Sequence, residues 1–187
     1  AYDEPLLARE IELFREWLVG MHLGLSTDLP WWGELEKVLV SNALEQPQVT
    51  VHRDYHSRNL MLHADRLYWI DFQDARMGPA TYDLASLLRD AYVDVPEEMS
   101  EELAERFRQR AVPGEAREQF RRRFELMAVQ RTLKALGTFG YMATVRGNPV
   151  YLPYMPRTLS HARHILSRYP ELERLWRTLA RHIEELA

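Results

Sequence analysis

Asp54, Asn59 and Asp71 stand at the spacing that phosphoryl transfer to an alcohol asks of a protein. That reaction requires little covalent chemistry. It needs a group that orients the attacking hydroxyl and takes its proton, and metal ions that bridge the phosphates and offset their charge. All three residues fall in one stretch, VHRDYHSRNLMLHADRLYWIDFQD, from Val51 to Asp74. Asp54 is placed for the first role. Asn59, five residues on, supplies a neutral oxygen to Mg²⁺, and Asp71 follows twelve residues later, enough for strand, turn and strand to bring it back beside Asn59. Magnesium takes one or two carboxylates and fills its shell with substrate phosphate and water, so Asn59 and Asp71 make the protein share of such a site. The competing reading is a polar β-hairpin whose Asp and Asn only form turns. A strand entering H-R-D, an Asn at the required offset and a hairpin leading into I-D-F together favour the chemistry.

Around these three, His52 and Asp83 are expected to brace the loop. His52 ends the entering strand, and Asp83, in T-Y-D-L-A, begins a helix that it could cap while also facing the loop backbone. His52 and His56 form an i, i+4 pair, but in a loop with no third ligand, so zinc is disfavoured. His161 and His164 are assigned to an exposed helix face. Arg121, Arg122 and Arg123 read as a solvated run. Gln130, Arg131 and Lys134 are polar residues one turn apart on an otherwise apolar helix, and a solvated stripe is preferred for them over a substrate site. Trp31 and Trp32 are assigned to packing rather than to ligand stacking.

The elements that must hold this loop follow from periodicity. Leu7, Ile11, Phe14, Leu18 and Met21 recur at helical spacing and predict a helix over 3–22. Gly24 and the run Ser26 to Asp28 break it. A second helix runs from Pro30 to about Glu45, with Thr27 or Asp28 as its cap. Short strands are predicted at 49–52, 60–63 and 67–70, with a hairpin turn at Asp65 and Arg66, and Gly78 and Pro79 close the segment. Helical pattern returns from Thr81 through Tyr92, then over 97–111 and over 115–146, where Gly137 and Gly140 weaken the middle and allow a kink. Helices over 156–168 and 171–186 meet at Tyr169-Pro170, since the residue before proline resists helix. The fold class is mainly α with a small antiparallel β element, in a single unit spanning 1–187.

Composition narrows the function. A net charge of −4 gives no general affinity for nucleic acid. The absence of cysteine excludes disulfides and thiolate metal sites and suits a cytoplasmic protein. No apolar run reaches the length of a membrane span. Nearly all the basic residues are arginine, with Lys37 and Lys134 the only lysines.

At this point the chain resembles the aminoglycoside phosphotransferase and choline kinase superfamily, the small-molecule branch of the protein-kinase-like fold. The residues that carry the likeness are H-R-D-x-x-x-x-N (52–59), I-D-F-Q-D (70–74) and the D-L-A helix. Within that group it looks most like the cell-wall-recycling sugar kinases that act on N-acetylmuramate and N-acetylglucosamine at the anomeric hydroxyl. The segments are HRDYHSRNLM, IDFQDARMGPATYDLASLLRDAY, QRTLKALGTF and YPELERL, and LFREWLVGMHLGL also fits. The eleven residues between Asp71 and Asp83 are too few for the activation segment of a protein kinase, and Gln73 replaces the glycine of D-F-G.

The resemblance implies ATP and Mg²⁺, a small-molecule acceptor, and Asp54 as base with Asn59 and Asp71 as metal ligands. His56, Arg58, Asp74 and Arg89 are candidates for holding the acceptor, an arginine being suited to the lactyl carboxylate of N-acetylmuramate. It also implies a C-terminal lobe whose nucleotide-covering N-terminal lobe, with its Gly-rich loop and V-A-I-K lysine, is absent. Lys37, inside a predicted helix, cannot replace that lysine. The isolated chain is therefore expected to fold without turning over. The rival readings are a kinase for an aminoglycoside, choline or another small alcohol, and a non-catalytic kinase-like binding module. Intact Asp54, Asn59 and Asp71 speak against the module.

Overall fold

A computed structural model describes residues 2–182. The chain is mainly helical. Helix α1 (Glu4–Leu13) starts at Asp3, whose side chain accepts from the Leu6 N–H, and continues as a π-helical segment over Phe14–His22. Helix α2 (Trp32–Leu44) precedes strands β1 (Gln48–Val51), β2 (Leu60–His63), β3 (Arg66–Trp69) and β4 (Arg76–Pro79). Helices α3 (Tyr82–Leu88), α4 (Glu97–Ala111), α5 (Arg117–Thr144), α6 (Met155–Leu166) and α7 (Glu173–Ala180) complete the described chain. The predicted end of the last helix at 186 lies outside the described residues.

Helix α5 is the axis of the molecule. α1 and its π-helical extension, α2, α3, α4 and α6 all pack on it. Phe124, Met127, Leu133 and Leu136 of α5 meet Leu7, Ile11, Phe14 and Leu18 in one apolar core. Gly137 and Gly140 do not break the helix. A Cβ on Gly137 would lie 2.5 Å from the Leu13 carbonyl carbon, and one on Gly140 would lie 2.8 Å from the Trp17 carbonyl oxygen. Their role is to let the backbone of α5 touch that of the first helix, and the π-helical segment begins where this contact is made. Trp32 is buried and Trp31 packs against the same core.

The strands make two separate antiparallel ribbons. β2 and β3 form the expected hairpin, but its turn is Ala64-Asp65, one residue earlier than predicted. Both residues have positive φ, as a two-residue turn matching the strand twist requires. β4 was not anticipated: Gly78-Pro79 reads as a terminator, yet β4 pairs with β1 from Gln48↔Pro79 to Val51↔Arg76. Proline is tolerated there because β4 is an edge strand of a two-stranded ribbon. Helix α3 stops at Leu88 rather than Tyr92. The Asp90 carboxylate captures the backbone N–H of Tyr92 and of Ser57, at 2.7 Å each, which competes with helix continuation. No side chain caps α2, so the predicted Thr27 or Asp28 cap is replaced by backbone at Trp31.

Candidate active site

The loop between β1 and β2 carries Asp54, and it is bonded mainly from behind. The two oxygens of Asp83, in the first turn of α3, accept from the backbone N–H groups of His52 (2.6 Å) and Arg53 (3.0 Å). Arg53 is held with φ of +78°, a conformation costly for a residue with a side chain. Those two bonds, with the side-chain bonds of Arg53 to Tyr2 Oη (2.8 Å) and Glu10 Oε1 (3.2 Å), over-determine it. His52 Nε2 lies 3.0 Å from the Ile70 carbonyl, which makes it the protonated ring nitrogen and ties the loop to the end of the hairpin.

Asn59 donates its amide nitrogen to the Asp54 carbonyl at 2.8 Å, and its own carbonyl accepts from the Ile70 N–H at 3.1 Å. Any metal-ligand role therefore falls to Asn59 Oδ1. Asp71, next to Ile70, has φ of +66° and accepts from the Gln73 side chain at 2.7 Å. Among the described residues no three His, Cys, Asp or Glu gather as a metal cage. A neutral oxygen and one exposed carboxylate suit magnesium, which takes the rest of its shell from phosphate and water.

The Asp54 carboxylate opens on a cleft of about 120 Å³ between the loop, α3, α5 and α6. Helix α5 contributes two cations to its wall. Lys134 Nζ lies 3.7 Å and Arg131 Nη2 3.8 Å from Asp54 Oδ1. This overturns the solvated stripe expected of Gln130, Arg131 and Lys134. Gln130 is buried, and the side chains of Arg131 and Lys134 are only 11% and 17% exposed. On a helix whose neighbours are nearly all buried, charged residues must find partners. Behind the cleft these partners are Glu10, Tyr2 and Tyr82. Lys134 Nζ is 3.3 Å from Glu10 Oε1, Arg131 donates to Tyr82 Oη at 2.7 Å, and Tyr82 in turn lies 3.0 Å from Glu10 Oε2. Glu10, three residues after Leu7 and four before Phe14, falls on the buried side of α1. Its partners become visible only once α1 is docked on α5.

The electrostatics follow from this packing. Burial opposes ionisation of Asp54, but Lys134 and Arg131 outweigh it and keep the carboxyl below its ordinary range. Burial likewise works against Glu10, and the same two cations, with the Tyr2 and Tyr82 hydroxyls, hold it low. Desolvation, then Arg131, pulls Lys134 down against Glu10 and Asp54. Tyr2 is pushed up to about 12 by burial and by Glu10.

The other candidates sit as follows. His56 lines the cleft and its titration is lowered by burial. Arg58 lies with its guanidinium 3.9 Å over the Tyr92 ring and donates to Tyr154 Oη at 2.6 Å. Arg89 is buried and makes a two-pronged pair with Glu97, at 2.7 and 2.8 Å. Asp74 is exposed beyond the hairpin. His56 Nδ1, Ser86 Oγ, Arg89 Nε and Arg131 Nε are buried and lack a hydrogen-bond partner among the described residues, and all four residues line this cleft. His161, expected on an exposed face, is half-buried against the Asp90 carbonyl, while His164 is exposed. Arg121 and Arg122 are exposed and ion-paired with Glu101 and Glu171, whereas Arg123 is half-buried on Glu115.

Residues 2–121 match the model of the phosphotransferase enzyme family. The N-acetylmuramate/N-acetylglucosamine kinase of Pseudomonas putida is 42% identical over 188 residues, covering 96% of this chain and 56% of the relative. The protein of the same name from Neisseria meningitidis is 42% identical, covering 95% and 56%. That of Caulobacter vibrioides is 30% identical, covering 83% and 45%. The chain thus spans about half the length of the curated relatives it matches.

Proposed function

The chain belongs to the phosphotransferase enzyme family, and from that premise we propose that it forms the acceptor-binding part of an ATP- and Mg²⁺-dependent sugar kinase. The acceptor is the anomeric hydroxyl of N-acetylmuramate or N-acetylglucosamine, and the reaction belongs to the cytoplasm. The observation that carries the reading is Asp54. Its carboxylate opens on a cleft lined by the polar residues His56, Ser86, Arg131 and Lys134. A lining of imidazole, hydroxyl, guanidinium and ammonium groups is suited to a sugar with hydroxyl and acetamido groups. The relatives' names point to the same acceptors.

In this reading the acceptor lies in the cleft with its anomeric O–H against Asp54. The oxygen bonds to the γ-phosphorus, the bond from that phosphorus to the β-phosphate bridging oxygen breaks with its electron pair going to ADP, and the hydroxyl proton passes to Asp54 Oδ. Asn59 Oδ1 and Asp71 are the residues that would hold magnesium, which when bound offsets phosphate charge. His52 and Asp83 position the loop. His56 and Arg89 are the cleft-lining candidates for contacting the sugar, and Arg58 stacks on the cleft-lining Tyr92, whereas Asp74 stays exposed beyond the hairpin. The hairpin leaves Leu62, Leu67, Trp69 and Phe72 exposed, and we assign this apolar face to the nucleotide-covering part of the full-length protein. The isolated 187 residues then fold without turnover.

The test is a full-length protein assayed with MgATP against N-acetylmuramate, N-acetylglucosamine, an aminoglycoside and choline. Phosphorylation at the anomeric position of the amino sugars is expected. Turnover of an aminoglycoside or choline with none on the sugars would sink the assignment.

A further inference from the structure

We propose that Lys134 of α5 is the positioning residue for Asp54. Its ammonium, pinned from behind by Glu10 of α1, holds the Asp54 carboxylate towards the acceptor cleft. The inference rests on reading Asp54 as the group that takes the acceptor's proton.

The cations of the loop itself are committed elsewhere. Arg53 is bound to Tyr2 and Glu10, and Arg58 to Tyr154 and the Tyr92 ring. Those that reach Asp54 come from one turn of α5, and they differ. Arg131 is fixed without Asp54, since it donates to Tyr82 Oη and stacks 4.6 Å over that ring. Lys134 also donates to Tyr82 Oη, at 3.3 Å, but it is the cation that bridges two carboxylates, at 3.3 Å from Glu10 and 3.7 Å from Asp54. Among the described residues the Asp54 carboxylate makes no hydrogen bond, so these two ion pairs set its orientation. Arg53, Arg131 and Lys134 face Glu10 and Asp54 with one positive charge in excess, beside the neutral hydroxyls of Tyr2 and Tyr82 and the imidazole of His56. A surplus of that sign suits a place where a phosphoryl group arrives. A flexible lysine alone would be a poor orienting group because its stem has many rotamers. Glu10, buried and rigid on α1, removes that freedom.

The experiment uses the full-length protein. Lys134→Ala is expected to lower kcat by about 10²-fold, the cost of displacing a reacting group by roughly 1 Å, with KM for ATP and sugar nearly unchanged. Added propylammonium, which replaces the missing stem and charge, should restore part of kcat, as a merely structural loss would not allow. Because Lys134→Ala leaves buried Glu10 with Arg53 as its one remaining ion-pair partner among the described residues, the pair Glu10→Gln/Lys134→Met is made alongside, neutralising both charges together. If this folded double variant loses kcat by a similar factor at unchanged KM, the positioning role stands. The proposal is overturned if the double variant keeps kcat within about threefold of the parent, or if Lys134→Ala loses activity only in step with folded protein and propylammonium restores none. An inactive parent would sink the sugar-kinase reading, whereas an active parent with equally active variants would sink this one alone.

Discussion

The two halves of the site are built in opposite ways. Asp54 sits in a loop anchored by Asp83, Asp90 and the α5 cations, with a core helix behind it. Asp71 ends a hairpin whose residues 61–69 are all exposed, and its fixed points are backbone bonds at Ile70 and one side-chain bond to Gln73. The Asp54 side, proposed to receive the acceptor, is preorganised by buried charge, and the Asp71 side, proposed to hold the metal, by local backbone geometry. Buried charge couples chemistry to global stability, whereas an exposed hairpin does not, so substitutions in the two halves should separate cleanly.

The largest effect belongs to Asp54. In the full-length protein Asp54→Ala should lower kcat by about 10²–10⁴, the usual worth of a positioned acid or base, and steady-state assays giving near parental kcat would remove it from the chemistry. Next comes the charge behind it. Glu10→Gln should destabilise this chain by about 3–5 kcal/mol at neutral pH, as for a broken buried ion pair, read as the denaturant midpoint. Glu10 titrates below its ordinary value in the folded state. The stability it contributes is therefore present above that ordinary value and lost as pH falls through the folded pKa. The gap between parent and Glu10→Gln should accordingly narrow on acidification, and a gap that widens would contradict the network.

Asp83→Ala removes two charge-assisted bonds to the loop backbone and should cost about 2–4 kcal/mol, together with activity, because Arg53 then loses part of what holds its positive φ. A thermal shift without loss of activity would mean that the loop is held by Arg53 and Tyr2 alone. The smallest effect is expected on the hairpin. Trp69→Ser, at a side chain 60% exposed, should change the stability of the isolated chain by no more than about 0.5 kcal/mol. A larger loss would show that the hairpin packs on the helical body and would erase the contrast between the halves.

The motif residues and most helices were legible in the sequence because they depend on local chemistry. Asp54, Asn59 and Asp71 are defined by spacing, α4 by an apolar period with no competing partner, and the β2–β3 pair by alternation around a turn. The errors share one cause. β4 was hidden because Gly78-Pro79 terminates a strand only if no partner receives it, and β1 does. The end of α3 was set by the Asp90 side chain reaching back to Ser57, a contact between residues far apart in the chain. Gly137 and Gly140 looked like weak points and turned out to be points of backbone contact.

Arg131 and Lys134 make the same point within the site. A lysine on a helix is solvated by default, because burying an ammonium alone costs more than any single contact returns. Only when α1 delivers Glu10 to 3.3 Å and the loop after β1 delivers Asp54 to 3.7 Å from the Lys134 ammonium does burial become tolerable. The sequence by itself determined which groups could transfer a phosphoryl group and the local turns that carry them. The tertiary structure decided which charges surround those groups, because the sign and burial of each neighbour depend on how α1, α3 and α5 dock.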